Sequence, residues 1–206
     1  MLKIILFSCL IFLVACVEPT TTADLSNAPE ARLIVAEKIM SPEARALENK
    51  IANRTLLQKV VDESKEFQRV EFSFACNNDS GGLLSYIKSG ESIRGIRFAV
   101  SKEGMDEFVS WYYKRDELVF VVHEKGEWLG EQEKNIQTLF YLDNGEVLRC
   151  MQKKALGATH QIEKLIQAAE FELIINNRHL LEKIATYETL FKKEISPKKL
   201  AAYFCD

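Results

Sequence analysis

The chain has 206 residues, of which 47% are hydrophobic, 28% charged and 10% aromatic, with 9 glycines and 4 prolines. This composition excludes a disordered, collagen-like or low-complexity chain and is sufficient for one domain with a hydrophobic core or two small ones. The formal net charge of −3 leaves no basic excess to neutralise a phosphate backbone, so nucleic-acid binding is not expected.

The first residues of the chain have the pattern of a secretory signal. Residues 1–3 form a short positive region, and residues 4–14 form an apolar run. That run is well short of the about 20 apolar residues that span a bilayer. We therefore expect residues 1–15 to be a removable signal peptide.

The signal ends in the sequence LVAC at residues 13–16, which resembles the lipobox of bacterial prolipoproteins. The resemblance implies cleavage before Cys16 and two or three acyl chains on that cysteine, which would anchor the protein to a membrane. Cys9 fits the motif less well, because the bulky Phe7 lies where the peptidase prefers a small residue. Val17 is not the aspartate of an inner-membrane retention signal, so the outer membrane of the cell envelope is favoured. The alternative is an ordinary cleaved signal with an incidental cysteine.

Residues 16–29 have no periodic apolar pattern, which predicts that the lipidated cysteine is followed by a flexible tether. Residues 30–206 are expected to form a single α+β domain. Its predicted parts are helices over 30–67, a sheet over 69–153 and helices over 159–204.

The clearest helix start in the chain is at Ser41, Pro42 and Glu43. These residues supply a hydroxyl cap, a proline at the first position and an acid at the positive end of the helix dipole. The helix is expected to continue to about Phe67.

A recurring pattern, in which a tyrosine precedes a turn and a glutamate follows it, predicts three hairpins: Tyr86–Glu91, Tyr112–Glu117 and Tyr141–Glu146. Asn144-Gly145 is a strong two-residue turn signal, Ser89-Gly90 is a second, and Arg115-Asp116 indicates a longer turn. Together they predict an antiparallel β-meander of about six strands, with residues 70–75 as a candidate extra edge strand. The units resemble, weakly, the tyrosine-turn-glycine hairpins of uncharacterised envelope lipoproteins, and no activity follows from that resemblance.

From Thr159 to Phe191 the apolar residues recur at intervals of three and four, which predicts one long amphipathic helix. Asn176-Asn177 interrupts this pattern, so a kink or a turn between two helices is the alternative. Ser196-Pro197 predicts the start of a short last helix. We expect the helices to lie on one side of the sheet.

Three cysteines remain beside Cys16 in the processed chain: Cys76, Cys150 and Cys205. An exported chain meets an oxidising environment, so one disulfide is expected, with one thiol left over. The preferred pair is Cys76–Cys150, which would tie the ends of the sheet, and Cys205 could instead pair with either. No two of these cysteines have the spacing of a metal-binding pair, so no metal site is expected.

The sequence shows few candidates for catalysis. His123 is expected to be exposed at a strand end, and His160 and Glu163 at a solvated helix start. His179 follows a polar cluster. No nucleophile motif or phosphate-binding glycine pattern occurs. We therefore expect a non-enzymatic protein without catalytic residues, cofactor or metal.

The remaining candidate is an aromatic binding surface on the meander, formed by Trp111, Tyr112, Tyr113, Trp128 and Tyr141. Strand alternation places these rings on both faces of the sheet, so part of the set is exposed unless helices cover both faces. An exposed aromatic patch favours binding to a protein, a glycan or an apolar ligand.

The functional expectation is a membrane-anchored envelope lipoprotein that binds another envelope protein. The alternative is a carrier or sensor of a small apolar ligand, held in a pocket between sheet and helices. The sequence does not indicate an oligomeric state.

Overall fold

The computed structural model describes residues 40–76, 80–175, 177–193 and 195–205. The predictions for the signal peptide, Cys16, the tether and residues 30–39 lie outside the described residues. The described elements are, in order, α1 (Pro42–Glu63), β1 (Gln68–Ala75), β2 (Gly81–Ser89), β3 (Ser92–Lys102), β4 (Met105–Lys114), β5 (Glu117–Leu129), β6 (Gln132–Asp143), β7 (Glu146–Ala158), a 3-10 turn (Thr159–Gln161), α2 (Ile162–Ala168), β8 (Glu172–Leu173), α3 (Arg178–Phe191) and α4 (Pro197–Phe204).

The strands form one eight-stranded sheet in which spatial order follows chain order and neighbours are antiparallel. The predicted α+β antiparallel meander is therefore confirmed, and the sheet has more than the expected six strands. One addition is β1, the candidate edge strand. The other is β8, which lies in a segment predicted to be helical.

One hairpin turn is as predicted and another is tighter than the sequence suggested. Asn144 and Gly145 have φ angles of 50° and 79°, as their predicted two-residue turn requires. Arg115 and Asp116 have φ angles of 52° and 64°, so they form the same kind of turn, and the expectation of a longer one was wrong. Neighbouring strands hold these non-glycine residues in the left-handed region, because Lys114 and Glu117 pair directly across the turn.

The three tyrosine units differ in the face that their tyrosine occupies. Tyr112 and Tyr141 belong to one core cluster, and Tyr86 belongs to the other. In the first unit Ser89 pairs with Ser92, so the turn residues are Gly90 and Glu91 and the predicted turn at Ser89-Gly90 was wrong by one residue. The turn is therefore centred one residue later relative to the tyrosine. A shift of one residue moves a side chain to the opposite face of a strand.

The prediction of one long helix between Thr159 and Phe191 was wrong, and the chain there forms α2, β8 and α3. After α2 the backbone becomes extended at Ala169, with φ −69° and ψ 139°. Leu173 pairs with Met151, and the Ile174 amide donates to the carbonyl of Cys150 at 2.9 Å. Pairing with the sheet edge thus replaces the helix that the local periodicity favours. Of the two asparagines, Asn177 precedes α3, and Asn176 lies outside the described residues.

Helices cover both faces of the sheet, which corrects the expectation that they lie on one side. On the face that we call the α1 face, Val61 of α1 packs with Ile87, Tyr112 and Phe120. On the opposite α3 face, Trp111 packs with residues of α3 and α4. There, the ring centroids of Trp111 and Phe191 are 5.6 Å apart, and those of Phe98 and Phe204 are 4.5 Å apart.

Helix α1 begins as predicted, since the Ser41 hydroxyl accepts a hydrogen bond from the Ala44 amide at 3.1 Å. It ends at Glu63, before the expected Phe67. Arg54 holds the helix on the sheet, because its Nε donates to the carbonyls of Leu142 at 2.6 Å and Val119 at 3.1 Å. Its Nη2 also donates to Asp143 at 2.7 Å.

The disulfide joins Cys76 at the end of β1 to Cys205 after α4, with a Cα–Cα distance of 5.2 Å. The preferred pair Cys76–Cys150 was therefore wrong, and the alternative through Cys205 is correct. Cys150 faces Phe140 on β6, several strands from β1, and is a buried free thiol. The sequence could not place Cys205 over β1, because that placement depends on the packing of α4 against Phe74.

Candidate functional site

Four of the five residues in the predicted aromatic surface are buried. Trp111, Tyr112, Tyr113 and Tyr141 are each at most 4% exposed. Two of them bond to helices through their hydroxyl groups: Tyr113 donates to Glu188 of α3, and Tyr112 donates to Asp62 of α1, both at 3.1 Å. This part of the prediction was wrong because helices cover both faces.

Trp128, the fifth residue, is 41% exposed and belongs to an apolar surface that the prediction missed in part. Phe108 and Leu83 are also exposed, by 47% and 38%. The strand register aligns Leu83, Ala99, Phe108 and Glu124 in one row across β2 to β5. Trp128 lies four residues after Glu124 on the same strand and therefore on the same face. We call Leu83, Phe108 and Trp128 the open face.

A groove of about 370 Å³ lies between α1 and the open face. The Asp62 carboxylate lies there 2.5 Å from the Arg97 guanidinium and accepts the hydrogen bond from Tyr112. Burial, with the nearby charge of Asp62, raises the pKa of Tyr112 to about 12, so its hydroxyl remains a donor at neutral pH. The groove thus combines apolar side chains with a fixed ion pair, which suits an apolar segment that carries a polar group.

A second feature is a buried polar cluster on the α3 face, made of Glu107, His123 and Lys183. Glu107 is 2% exposed and His123 is 4% exposed, so the expectation that His123 is exposed at a strand end was wrong. His123 Nε2 is 2.8 Å from Glu107 Oε1. Lys183 of α3 donates to both oxygens of the same carboxylate, at 2.6 and 2.7 Å.

The cluster links two neighbouring strands to α3 through one carboxylate. Burial acts to raise the pKa of Glu107, but hydrogen bonds from His123 and Lys183 outweigh it and leave that pKa below the ordinary value. An ionised Glu107 only accepts hydrogen bonds, so His123 carries a proton on Nε2. His123 Nδ1 is buried and has no hydrogen-bond partner among the described residues.

Sequence alternation contains a signal for this cluster. Glu107 occupies the α3 face of β4 together with Val109 and Trp111, where the pattern otherwise demands apolar residues. His123 lies on the same face, directly opposite Val109. A charged residue at an inward-facing strand position is expected to have a buried partner.

The cluster does not bring His123 and the free thiol together. His123 pairs with Thr138, which pairs with Gln152, and Cys150 lies two residues along β7 from Gln152. Two strand spacings and two residues of rise separate the Cα positions of His123 and Cys150 by about 12 Å. Burial also raises the pKa of Cys150 to about 11, so it remains a thiol at neutral pH.

The other two histidines are exposed, with His160 in the 3-10 turn and His179 in the first turn of α3. In the described part of the chain, no three side chains of the metal-binding types converge. No described helix has both the length and the apolar composition needed to cross a bilayer. No known protein family, curated protein or solved structure matches the chain.

Proposed function

We propose that the protein is an exported lipoprotein, acylated at Cys16, whose folded domain binds another protein of the bacterial envelope without acting as an enzyme. The observation that carries the binding role is the open face, where Leu83 and Phe108 line a groove and Trp128 is exposed on the same side of the sheet. Most exposed apolar residues on soluble proteins are scattered singly, and a group of them is typical of an interaction site.

Two further features support the export step. The sequence at residues 13–16 has the lipobox pattern. The Cys76–Cys205 disulfide fits a compartment outside the cytosol, because cytosolic thiols are kept reduced. The residue after the acylated cysteine, Val17, favours the outer membrane.

Packing of the domain favours a protein partner over a small apolar ligand. On the α3 face the space between sheet and helices is occupied by packed aromatic rings, including those of Phe98, Phe191 and Phe204. On the α1 face, Phe120 lies between Tyr112 and Tyr141, with ring centroids 5.7 and 4.8 Å apart. An apolar ligand buried in the core would have to displace these side chains, whereas a protein can bind the open face and its groove as they stand.

Replacing Phe108 with serine is expected to reduce partner recovery by about tenfold or more, because an aromatic residue at an interface centre often contributes over 1.4 kcal/mol. The measurement is a pull-down from detergent-solubilised envelope with the full chain as bait, quantified by mass spectrometry. Trp128→Ser should have a similar effect. Both residues are exposed, so thermal unfolding should be nearly unchanged.

The matched control is Leu129→Ser. Leu129 is exposed next to Trp128 but points to the opposite face of β5, so its replacement should leave recovery unchanged. Equal recovery by the wild type and Phe108→Ser would exclude the open face as the binding surface.

A further inference from the structure

Strand β1 is a long, regular edge of the sheet. In the described part of the chain it pairs with β2 alone, from Gln68 opposite Lys88 to Ala75 opposite Gly81, without a register irregularity. At the other edge, β8 has only two residues. An edge strand of this length offers its outer backbone groups to another strand, and proteins usually block such an edge with a bulge, a proline or charged side chains. Strand β1 has no proline, and its two charged residues, Arg69 and Glu71, are of opposite sign.

The outward backbone groups of β1 can be identified from the register. The Cys76 amide donates to the carbonyl of Ser80, directly opposite, at 2.8 Å. Hydrogen-bonded pairs alternate along an antiparallel ladder, so the even-numbered residues of β1 turn their backbone groups toward β2. The odd-numbered residues Arg69, Glu71 and Ser73 therefore direct their amides and carbonyls outward.

The outward residues carry a self-complementary charge pattern. Arg69 and Glu71 are exposed on the same face, two residues apart and of opposite charge. Consider a second copy of β1 paired antiparallel with the first, so that the two Val70 residues lie opposite each other. In that pair, Arg69 of each copy lies directly opposite Glu71 of the other. A register centred on Glu71 would instead place two glutamates opposite each other, which is destabilising.

The same register also buries apolar surface. Val70 and Phe72 are half-buried on the α3 face of β1, at the rim of the core. In the antiparallel pair the two Val70 side chains meet at the two-fold axis, and each Phe72 lies beside Gln68 of the second copy. Backbone pairing, charge complementarity and apolar burial thus agree on one register.

We propose that two copies of this chain pair antiparallel through β1, centred on Val70, so that their eight-stranded sheets form one continuous sheet. This self-association uses a different surface from the open face and does not depend on acylation of Cys16. It gives the protein two equivalent open faces per assembly.

Cross-linking of the purified full chain tests the register. The two Val70 positions form a non-hydrogen-bonded pair, where Cβ atoms are close enough for a disulfide. Val70→Cys should therefore give a covalent dimer on a non-reducing gel after mild oxidation. The matched control Phe72→Cys should remain at the wild-type level, because its opposite residue is Gln68. Absence of a Val70→Cys dimer, or an equal dimer from Phe72→Cys, would overturn the proposal.

Charge exchange tests the contact without a covalent bond. In sedimentation velocity, Arg69→Glu and Glu71→Arg should each lower the dimer fraction at least fivefold, because each places like charges opposite one another. The double variant Arg69→Glu/Glu71→Arg restores opposite charges and should regain most of the dimer, although it also lacks the bond from Arg69 to the Asp62 carbonyl. A monomeric double variant with wild-type thermal unfolding would contradict the proposed pairing, as would a monomeric wild type.

Discussion

Replacing Cys205 with serine is expected to lower the free energy of unfolding by about 3–5 kcal/mol. The disulfide joins residues 129 positions apart, so its removal frees a very long loop in the unfolded chain. The chain-entropy relation gives about 5 kcal/mol for a loop of this length, which is the upper end of the measured range. Urea unfolding of wild type and Cys205→Ser at pH 7 provides the measurement.

Three comparisons make the disulfide prediction specific. Cys76→Ser should match Cys205→Ser, and the double variant should lose no more than either single variant, because all three lack the same bond. Reductant should destabilise the wild type and leave the variants unchanged. A wild type whose unfolding midpoint does not respond to reductant would show that the bond does not form in the native protein.

The second large effect is expected at Glu107, whose replacement by alanine should cost about 3 kcal/mol. The change leaves the Nε2 proton of His123 buried without its acceptor and releases Lys183 from the sheet. Lys183 is 39% exposed and can reach water, so the main cost lies in the buried His123 contact and the cavity. Urea unfolding of wild type and Glu107→Ala measures the loss.

Acid unfolding separates the charge of Glu107 from its size. Because the pKa of Glu107 is below that of an unfolded glutamate, about 4.3, its ionisation stabilises the fold above that pH. This contribution is lost as the pH falls through the lower, folded-state pKa. Between pH 6 and pH 3 the melting temperature of Glu107→Gln should therefore fall less steeply than that of the wild type.

The control for Glu107 is Glu127→Gln on the neighbouring strand. Glu127 forms a partly exposed ion pair with Lys125 at 2.5 Å, and ion pairs near the surface contribute about 0–1 kcal/mol. The hydrogen bond from Lys125 also lowers the pKa of Glu127, but solvent screens this pair. Replacing Glu127 should therefore change the unfolding free energy by at most about 1 kcal/mol and the acid slope less than Glu107→Gln does. Identical acid slopes for Glu107→Gln and wild type would contradict a stabilising role for the buried carboxylate.

Local signals predicted the parts of the fold that depend on neighbouring residues. The cap at Ser41, the turn at Asn144-Gly145 and the start of α4 after Ser196 each depend on a few consecutive side chains. The hairpin at Arg115-Asp116 was placed correctly but was expected to be longer, because a two-residue turn favours Asn-Gly or Asp-Gly over Arg-Asp.

The rest depends on contacts between distant residues. The helical period from Thr159 onward holds for α2 and α3, but between them Ile174 gains a sheet hydrogen bond and a place in the core. The spacing of apolar residues alone cannot predict these contacts of Ile174. Similarly, the number of aromatic residues in the meander predicted a binding surface, whereas their exposure depends on which helix covers which face.

The candidate site was predictable only in part. Trp128 was identified from composition, and Phe108 was not. Alternation along β4 nevertheless places Phe108 on the face away from the buried Glu107 and Val109. Glu107 was overlooked because a charged residue in a strand is usually assigned to the solvent side. Its position on the apolar side of β4 was readable from the sequence.

Acylation of Cys16 is what would anchor the protein to the membrane, and the most direct measurement is labelling of the native protein with a palmitate analogue, followed by mass spectrometry of its N-terminal peptide. We predict a labelled peptide that begins at Cys16 in the wild type and in Cys9→Ala, and no label in Cys16→Ala. A native chain that retains Met1 and carries no acyl group would contradict the proposed membrane anchor.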